Sequence, residues 1–309
     1  MAIRKWNKIA ISAKIEAAPG TDAAPTAALN AMQVSDVKLQ PLAGEEVKRD
    51  LLRPYFGDQG SLLVGNYVEL EMSVELTGAG AAGTAPAYGP LLRGCGMAET
   101  LVANTTATYL PASGSQETLT IYPYLDGVLH KMVYVRGTYK LEIKPKAIPK
   151  ITFTMRGLLG GTSDIVAPAA VYTMWKDPVA ASKTNTTFAL HGVSAPVESL
   201  SIDIGNTIEA RHLIGAESIE ITDRAVKGEV VIQADLLAVK DWYGVALATT
   251  KGSMSLVHGL TAGSIVELAA PKVQIGRPSI DKTQGIINTT LPLMLTPNTG
   301  DDEFSLIVR

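Results

Sequence analysis

Val68-Glu-Leu-Glu-Met-Ser-Val-Glu-Leu76 alternates apolar and polar residues without a break. In an extended chain successive side chains point to opposite faces. Val68, Leu70, Met72, Val74 and Leu76 then share one side, and Glu69, Glu71, Ser73 and Glu75 share the other. A helix would scatter the same residues around its circumference, so the stretch reads as a half-buried antiparallel strand. The same period recurs at residues 37–40, 118–122, 132–144, 150–158, 198–204, 216–221, 229–236, 253–257, 265–268, 272–275 and 286–295. Turn signals separate these runs at Asp126-Gly127, residues 144–149, Gly205-Asn206 and Asp223-Arg224. Short strands punctuated by Gly and Pro predict a mainly β sandwich or barrel.

Two short segments have helical spacing: residues 88–97, with Leu91, Leu92 and Cys95, and residues 238–247, with Val239, Trp242 and Tyr243. Each contains glycine and is too short to stand alone, so each is expected to pack on a sheet. The chain also resembles itself. Residues 117–121 match 198–202, residues 135–143 match 213–221, and residues 150–159 match 228–237, both of the last ending in Leu-Leu. A weaker match sets 37–40 and 67–78 against 273–276 and 286–298. With 309 residues, the length also suits two domains. The proline-interrupted stretch 166–182 is the expected join, giving domains at 1–165 and 166–309.

Composition narrows the function. Apolar residues make up 46% and charged residues 18%, so a packed core is available and a disordered chain is excluded. Lys and Arg total 27 against 30 Asp and Glu, a net charge of −3. That does not suit a generally basic nucleic-acid binder. The basic opening Met1-Ala-Ile-Arg-Lys5 precedes an apolar run cut short by Lys14 and Glu16, too brief for a signal peptide. The longest uncharged stretches are broken by Gly, Pro or polar residues, so no membrane partner is expected.

Chemistry is sparse. Gly78-Ala-Gly-Ala-Ala-Gly83 has the spacing of a dinucleotide fingerprint, but Thr84-Ala-Pro-Ala87 separates it from any helix whose amides could meet a phosphate. It reads as a loop. His130, His191, His212 and His258 lack metal-ligand spacing, and the single Cys95 excludes an intrachain disulfide and reads as a small buried hydrophobe. Asp301-Asp-Glu303 reads as a solvated turn without calcium-loop spacing. No catalytic residues, cofactor or metal are expected. The alternative reading is a surface or adhesion β-sandwich that binds carbohydrate or protein, and aromatic residues at 6% argue against its carbohydrate form.

Two features rise above this background. Glu69, Glu71 and Glu75 form an acidic stripe on one strand face, and like charges so placed require screening. The connection 44–58, within a long arm loop predicted over 44–66, mixes Glu45, Glu46, Lys48, Arg49, Asp50 and Arg53 with Leu51, Leu52, Tyr55 and Phe56. Loops of this length tend to be functional, and exposed apolar side chains seek a partner. The arm is expected to dock on a neighbouring subunit rather than pack on itself.

Several runs resemble the major tail tube protein of long-tailed bacteriophages. They are Lys14-Ile-Glu-Ala-Ala-Pro-Gly-Thr-Asp22, Val47-Lys-Arg-Asp-Leu-Leu-Arg-Pro-Tyr-Phe-Gly57 and Gly83-Thr-Ala-Pro-Ala-Tyr-Gly-Pro-Leu-Leu-Arg-Gly-Cys-Gly-Met97. Ile121-Tyr-Pro-Tyr-Leu-Asp-Gly-Val-Leu-His-Lys131 and Ile148-Pro-Lys-Ile-Thr-Phe153 fit the same pattern. The likeness covers most of residues 10–160 and is looser beyond, apart from the ending 291–309.

The resemblance implies a β-sandwich with a flanking helix, whose strands join those of neighbours into a barrel. Stacked rings then form a hollow tube in the virion tail, assembled in the host cytoplasm, that conducts DNA without binding it. A family ring holds six copies of the fold, so a chain with two copies implies three chains in pseudo-sixfold symmetry, six chains being the alternative. Other tail proteins would cap the tube. Within that reading Glu69, Glu71 and Glu75 suit the lumen, where a basic wall would hold the DNA. The arm residues Glu45, Glu46, Lys48, Arg49, Asp50, Arg53, Tyr55 and Phe56 suit ring stacking.

Overall fold

The computed structural model describes residues 3–309; Met1 and Ala2, which open the predicted basic N-terminus and first domain, lie outside the described residues. The first part of the chain forms β1 (Ile9–Ile15), β2 (Ala31–Met32), β3 (Ser35–Lys48), β4 (Ser61–Glu75) and α1 (Gly89–Gly94). There follow β5 (Met97–Val102), β6 (Thr106–Pro111), β7 (Leu119–Leu125), β8 (Val128–Ile143) and β9 (Lys150–Asp164). Next come β10 (Thr186–Leu190), β11 (Val197–Asp203), β12 (Asn206–Leu213), β13 (Ala216–Arg224), β14 (Lys227–Gln233) and α2 (Trp242–Leu247). The chain closes with β15 (Lys251–His258), β16 (Val266–Ile275), β17 (Ser279–Thr283), β18 (Ile286–Leu295) and β19 (Ser305–Val308). Strands hold 53% of residues and helices 4%, and the sheets are not closed into a barrel.

Eight antiparallel strands lie side by side in the order β3–β4–β9–β8–β11–β14–β18–β17. The alternation read from the sequence decides which face is buried. On β4, Val68, Leu70, Met72 and Val74 are at most 3% exposed, and Ile151, Phe153 and Met155 of β9 stand beside them. Leu200 and Ile202 of β11, Val230 and Ile232 of β14, and Leu291 and Leu293 of β18 continue the same face. Burying each such side chain contributes roughly 1.5–3 kcal/mol, enough to fix the register, because a one-residue slip would expose them all.

A second run, β10–β15–β16–β19–β6–β5, contributes to the same hydrophobic core, which extends from Ile11 to Val308. The two halves of the chain meet at two ladders. Leu200 of β11 faces Ile143 of β8, and Leu306 of β19 faces Tyr109 of β6. They also touch where the Gly-rich loop after β4 meets the loop before β16: the Gly80 amide donates to the Gly263 carbonyl at 2.8 Å. A Cβ on Gly78 would stand 2.2 Å from that carbonyl oxygen. The sequence Gly78-Ala-Gly serves this backbone contact, which no larger residue permits.

Several expectations change. The predicted arm loop 44–66 is strand at both ends, with a loop only over 49–60: β3 runs to Lys48 and β4 starts at Ser61, with Lys48 opposite Ser61. Cross-strand pairing holds the charged and apolar residues there although neither face is buried, so no alternation marks it. The predicted strands 265–268 and 272–275 are one strand, β16, containing Pro271. Pro271 is tolerated because β16 changes partner there, from β19 at residues 266–269 to β18 at residues 273–275.

Both helices are shorter than their spacing suggested. Pro90 starts α1 one residue into it, and the Asp241 carboxylate caps α2 by accepting from the Gly244 amide. In the sequence matches, 117–121 falls on β7, which pairs with β1 and the first part of β8, whereas 198–202 falls on β11, between β8 and β14. These are not equivalent places. Any two strands of period two resemble one another in sequence, whatever their position in a sheet.

Candidate assembly interface

The eight-stranded sheet has two open edges: among the described residues β3 pairs only with β4, and β17 only with β18. Each edge offers unpaired backbone donors and acceptors, a template for another chain. With an even number of alternating strands, β3 and β17 run in opposite directions. Joining the β3 edge of one copy to the β17 edge of another therefore continues the antiparallel order.

The face away from the core is polar and balanced in charge. Glu69, Glu71 and Glu75 stand on it with Lys38, Lys150, Arg156, Arg136 and Lys140 from the neighbouring strands, and Glu142, Asp203, Lys227 and Glu229 follow. The stripe seen in the sequence is acidic only along β4. Across the sheet, Lys38 Nζ lies 2.6 Å from Glu71 and Arg156 Nε lies 2.8 Å from Glu69, while Lys150, in register with Glu75, pairs with Asp36 at 2.8 Å. The Coulomb cost of adjacent glutamates is met by cations on β3 and β9, which a reading of one strand cannot supply.

Beyond Ala43 and Tyr67 the β3–β4 hairpin projects from one end of the sheet, with Ala43 its last buried residue. Glu45 and Glu46 face Val64 and Leu63, and the Ser61 hydroxyl donates to Glu46 at 2.8 Å. At the tip, residues 49–60, Leu52 and Phe56 are fully exposed and Leu51 and Tyr55 largely so. Arg53 stacks over the Tyr55 ring at 5.8 Å, and the Gln59 amide donates to the Leu51 carbonyl. Lys48, Arg49 and Asp50 lead into this cluster, all exposed. The structure thus gathers the predicted arm residues on one hairpin, while Glu69, Glu71 and Glu75 remain on the sheet.

A second hairpin pairs the strand expected at 216–221, now β13, with β12, which the sequence does not mark as a strand. β12 and β13 leave the sheet between β11 and β14, at the same end as the β3–β4 hairpin, and lie across the polar face of β8, β9 and β4. Arg136 is its anchor. It is 6% exposed, and its guanidinium donates to Ile219 O at 2.8 Å, Gln116 O at 2.8 Å and Glu117 O at 3.4 Å, and pairs with Glu220. Arg156 donates to Ile208 O at 3.0 Å, and the Asn206 amide donates to Cys95 O and Gly137 O at 2.7 and 2.9 Å. In each half, then, a hairpin leaves the same end of the sheet and a short helix follows it.

The remaining polar groups are structural in their contacts. His191 and His258 hydrogen-bond to the backbone carbonyls of Val273 and Val179, and His212 pairs with Glu217. Cys95 is fully buried, and burial pushes its thiol up. Among the described residues no group of three His, Cys, Asp or Glu could hold a metal ion, and no helix is long and apolar enough to cross a membrane.

The turn Asp301-Asp-Glu303 is less solvated than its sequence suggests. Asp302 accepts from the Asn298 and Thr299 amides, but Asp301 and the 6%-exposed Glu303 grip Arg224 at 2.8 and 2.5 Å. The Ser113 hydroxyl, with Arg224 and against the opposing effect of burial, holds the Asp301 carboxyl below its usual range. A depressed carboxyl stabilises the fold fully above its unfolded value and loses that contribution as pH falls through the lower folded value. Stability should therefore drop below about pH 4, and Asp301→Asn should flatten that drop in melting temperatures measured from pH 5 to pH 2. An unchanged slope would remove Asp301 from the acid response.

No curated protein sequence matches the chain. A protein-family model described as phage tail tube protein matches residues 6–292 of the 309. That span takes in the projecting hairpin, both helices, the inserted hairpin and the two-edged sheet up to the last three residues of β18. The chain belongs to the phage tail tube protein family.

Proposed function

We propose that this protein polymerises as stacked rings into the hollow tail tube through which the phage genome passes, and that it does so without catalysis. The observation that carries the reading is the eight-stranded sheet with open edges β3 and β17 running in opposite senses. Three chains joined edge to edge give a closed barrel of about 24 strands. At roughly 4.8 Å per strand and a tilt near 40°, its circumference is about 150 Å and its diameter about 50 Å. Six chains would double that, leaving a bore far wider than a double helix needs.

Within this reading residues 1–165 and 166–309 are two tail-tube-like copies. β3, β4, β9 and β8 are the first copy's share of the wall, and β11, β14, β18 and β17 are the second's. Three chains then give pseudo-sixfold symmetry, and head-to-tail contacts close the ring. The polar face lines the bore, Glu75 with Glu69 and Glu71, the last two matched by Arg156 and Lys38. A wall of paired charges offers phosphates few free cations, so the DNA slides instead of being held. The exposed tip residues Leu51, Leu52, Tyr55 and Phe56, with Arg49, Asp50 and Arg53, contact the next ring. Assembly takes place in the host cytoplasm, and other tail proteins bind the tube ends.

Negative-stain electron microscopy of the purified protein tests this directly. End-on averages should show rings of three elongated subunits with six near-equal lobes. Six separate subunits would overturn the stoichiometry, and persistent monomers at high concentration would overturn the function.

A further inference from the structure

The β12–β13 hairpin indicates where the β3–β4 hairpin of a second copy goes. β12–β13 springs from the strand pair β11–β14, and β11 is the strand that joins the edge of β8. From that junction it reaches back across β8 and β9 until His212 lies beside Gly65 of β4, where a Cβ would stand 3.4 Å from the imidazole. The β3–β4 hairpin springs in the same way from the strand at the other open edge, and leaves the same end of the sheet. Apart from His212 beside Gly65, it meets nothing else of its own chain at its root: Val47, Leu62 and Leu63 are exposed, and Glu45 forms no ion pair among the described residues.

The corresponding ground on the second half is vacant. β17 is an open edge, Met294 of β18 is partly exposed, and Lys227 at the start of β14 is exposed and forms no ion pair among the described residues. A hollow of about 480 Å³ lies at that end of β14 and β18, lined by Arg224, Lys227, Met294, Pro297 and Asp301 among others. It is three strands in from the β17 edge, as Gly65 on β4 is three strands in from the junction at β8.

We propose that, in the ring, the root of the β3–β4 hairpin (residues 44–48 and 61–66) lies across β17 and β18 of the neighbouring copy. Its far end enters the hollow, setting Glu45 and Glu46 toward Lys227. The contact repeats between chains what β12–β13 makes within one, and yields a belt of six hairpins around one mouth of a three-chain ring. The tip 49–60, which has no counterpart on the tighter turn at Ile214-Gly215, extends past this belt toward the next ring. The proposal rests on the ring reading above.

Amine-reactive cross-linking of wild-type protein tests it, with nitrogen-15-labelled and unlabelled chains mixed before assembly. Lys48, Lys146 and Lys227 are all exposed. Lateral docking predicts labelled-to-unlabelled Lys48–Lys227 links in single rings as well as in tubes, and at least a tenfold loss of those links in dissociated chains. Lys146 lies between β8 and β9, at the opposite end of the sheet. Rings that give only Lys48–Lys146 links, and only on stacking, would overturn lateral docking and leave the tube standing. Absence of any ring would overturn the tube reading and this proposal with it.

Discussion

A chain in which Asn-Gly replaces residues 49–60 should fold as the wild type does and form rings, but no tubes. Lys48 faces Ser61 in the hairpin ladder, so a two-residue turn closes the strands without shifting their register. The excised residues contribute nothing to the core: Leu52 and Phe56 are fully exposed, and Leu51 and Tyr55 largely so. Stability should change by no more than about 0.5 kcal/mol. Assembly should change completely, because the largest unpartnered apolar cluster on the hairpin is gone. Circular dichroism melting reads the first outcome, and electron microscopy or sedimentation reads the second. Phe56→Ala alone should weaken stacking at the same unaltered melting temperature. Tubes of normal length from the deletion would remove the tip from ring stacking.

The tip also marks the limit of what the sequence alone reveals. Residues 68–76 and 286–295 lie on strands half covered by the core, so burial imposes a period of two and the strands are visible. Residues 118–122, by contrast, are buried on both faces and alternate because Thr118 and Thr120 donate to Glu16. β12, with Asn206-Thr-Ile-Glu-Ala-Arg-His-Leu213, also alternates, but only Asn206 and Ile208 are buried, and the turn signal at Gly205-Asn206 masks its start. β17, exposed throughout, leaves no pattern, nor does the two-residue β2. Asp126-Gly127 was legible because both residues adopt positive φ, a demand only a few residue types meet. The pairing of Glu69 and Glu71 with Arg156 and Lys38 was not, since it depends on which strands become neighbours. Period reports burial, and turns report backbone strain. Neither reports which distant strands meet, so the open edges and the inserted hairpin emerge only from the assembled sheet.

Arg136→Met should be the most damaging single substitution outside the apolar core. The side chain is buried at the point where β7, β8 and β13 converge, and it donates to the carbonyls of Gln116, Glu117 and Ile219 while pairing with Glu220. Methionine fills much of the volume but leaves three carbonyls and a carboxylate without their donor, at a cost of about 3–5 kcal/mol. Arg156→Met should cost about 1 kcal/mol, because Arg156 is a third exposed and its loss frees Glu69 to solvent. Urea denaturation measures both.

Hydrogen exchange separates local from global loss. The amides of 206–224 should lose protection in Arg136→Met at urea concentrations where β4 and β9 remain protected, because the hairpin lies on the sheet through Arg136 rather than through shared ladders. Uniform loss would mean that Arg136 holds the core itself, and a change below 1 kcal/mol would mean that the hairpin is held by Ile208 and Ile219. On the neighbouring half the arginine that precedes β17, Arg277, is exposed, whereas Arg136 is buried. The contact between chains should therefore be weaker than the contact within one, which suits a subunit that folds first and polymerises afterwards.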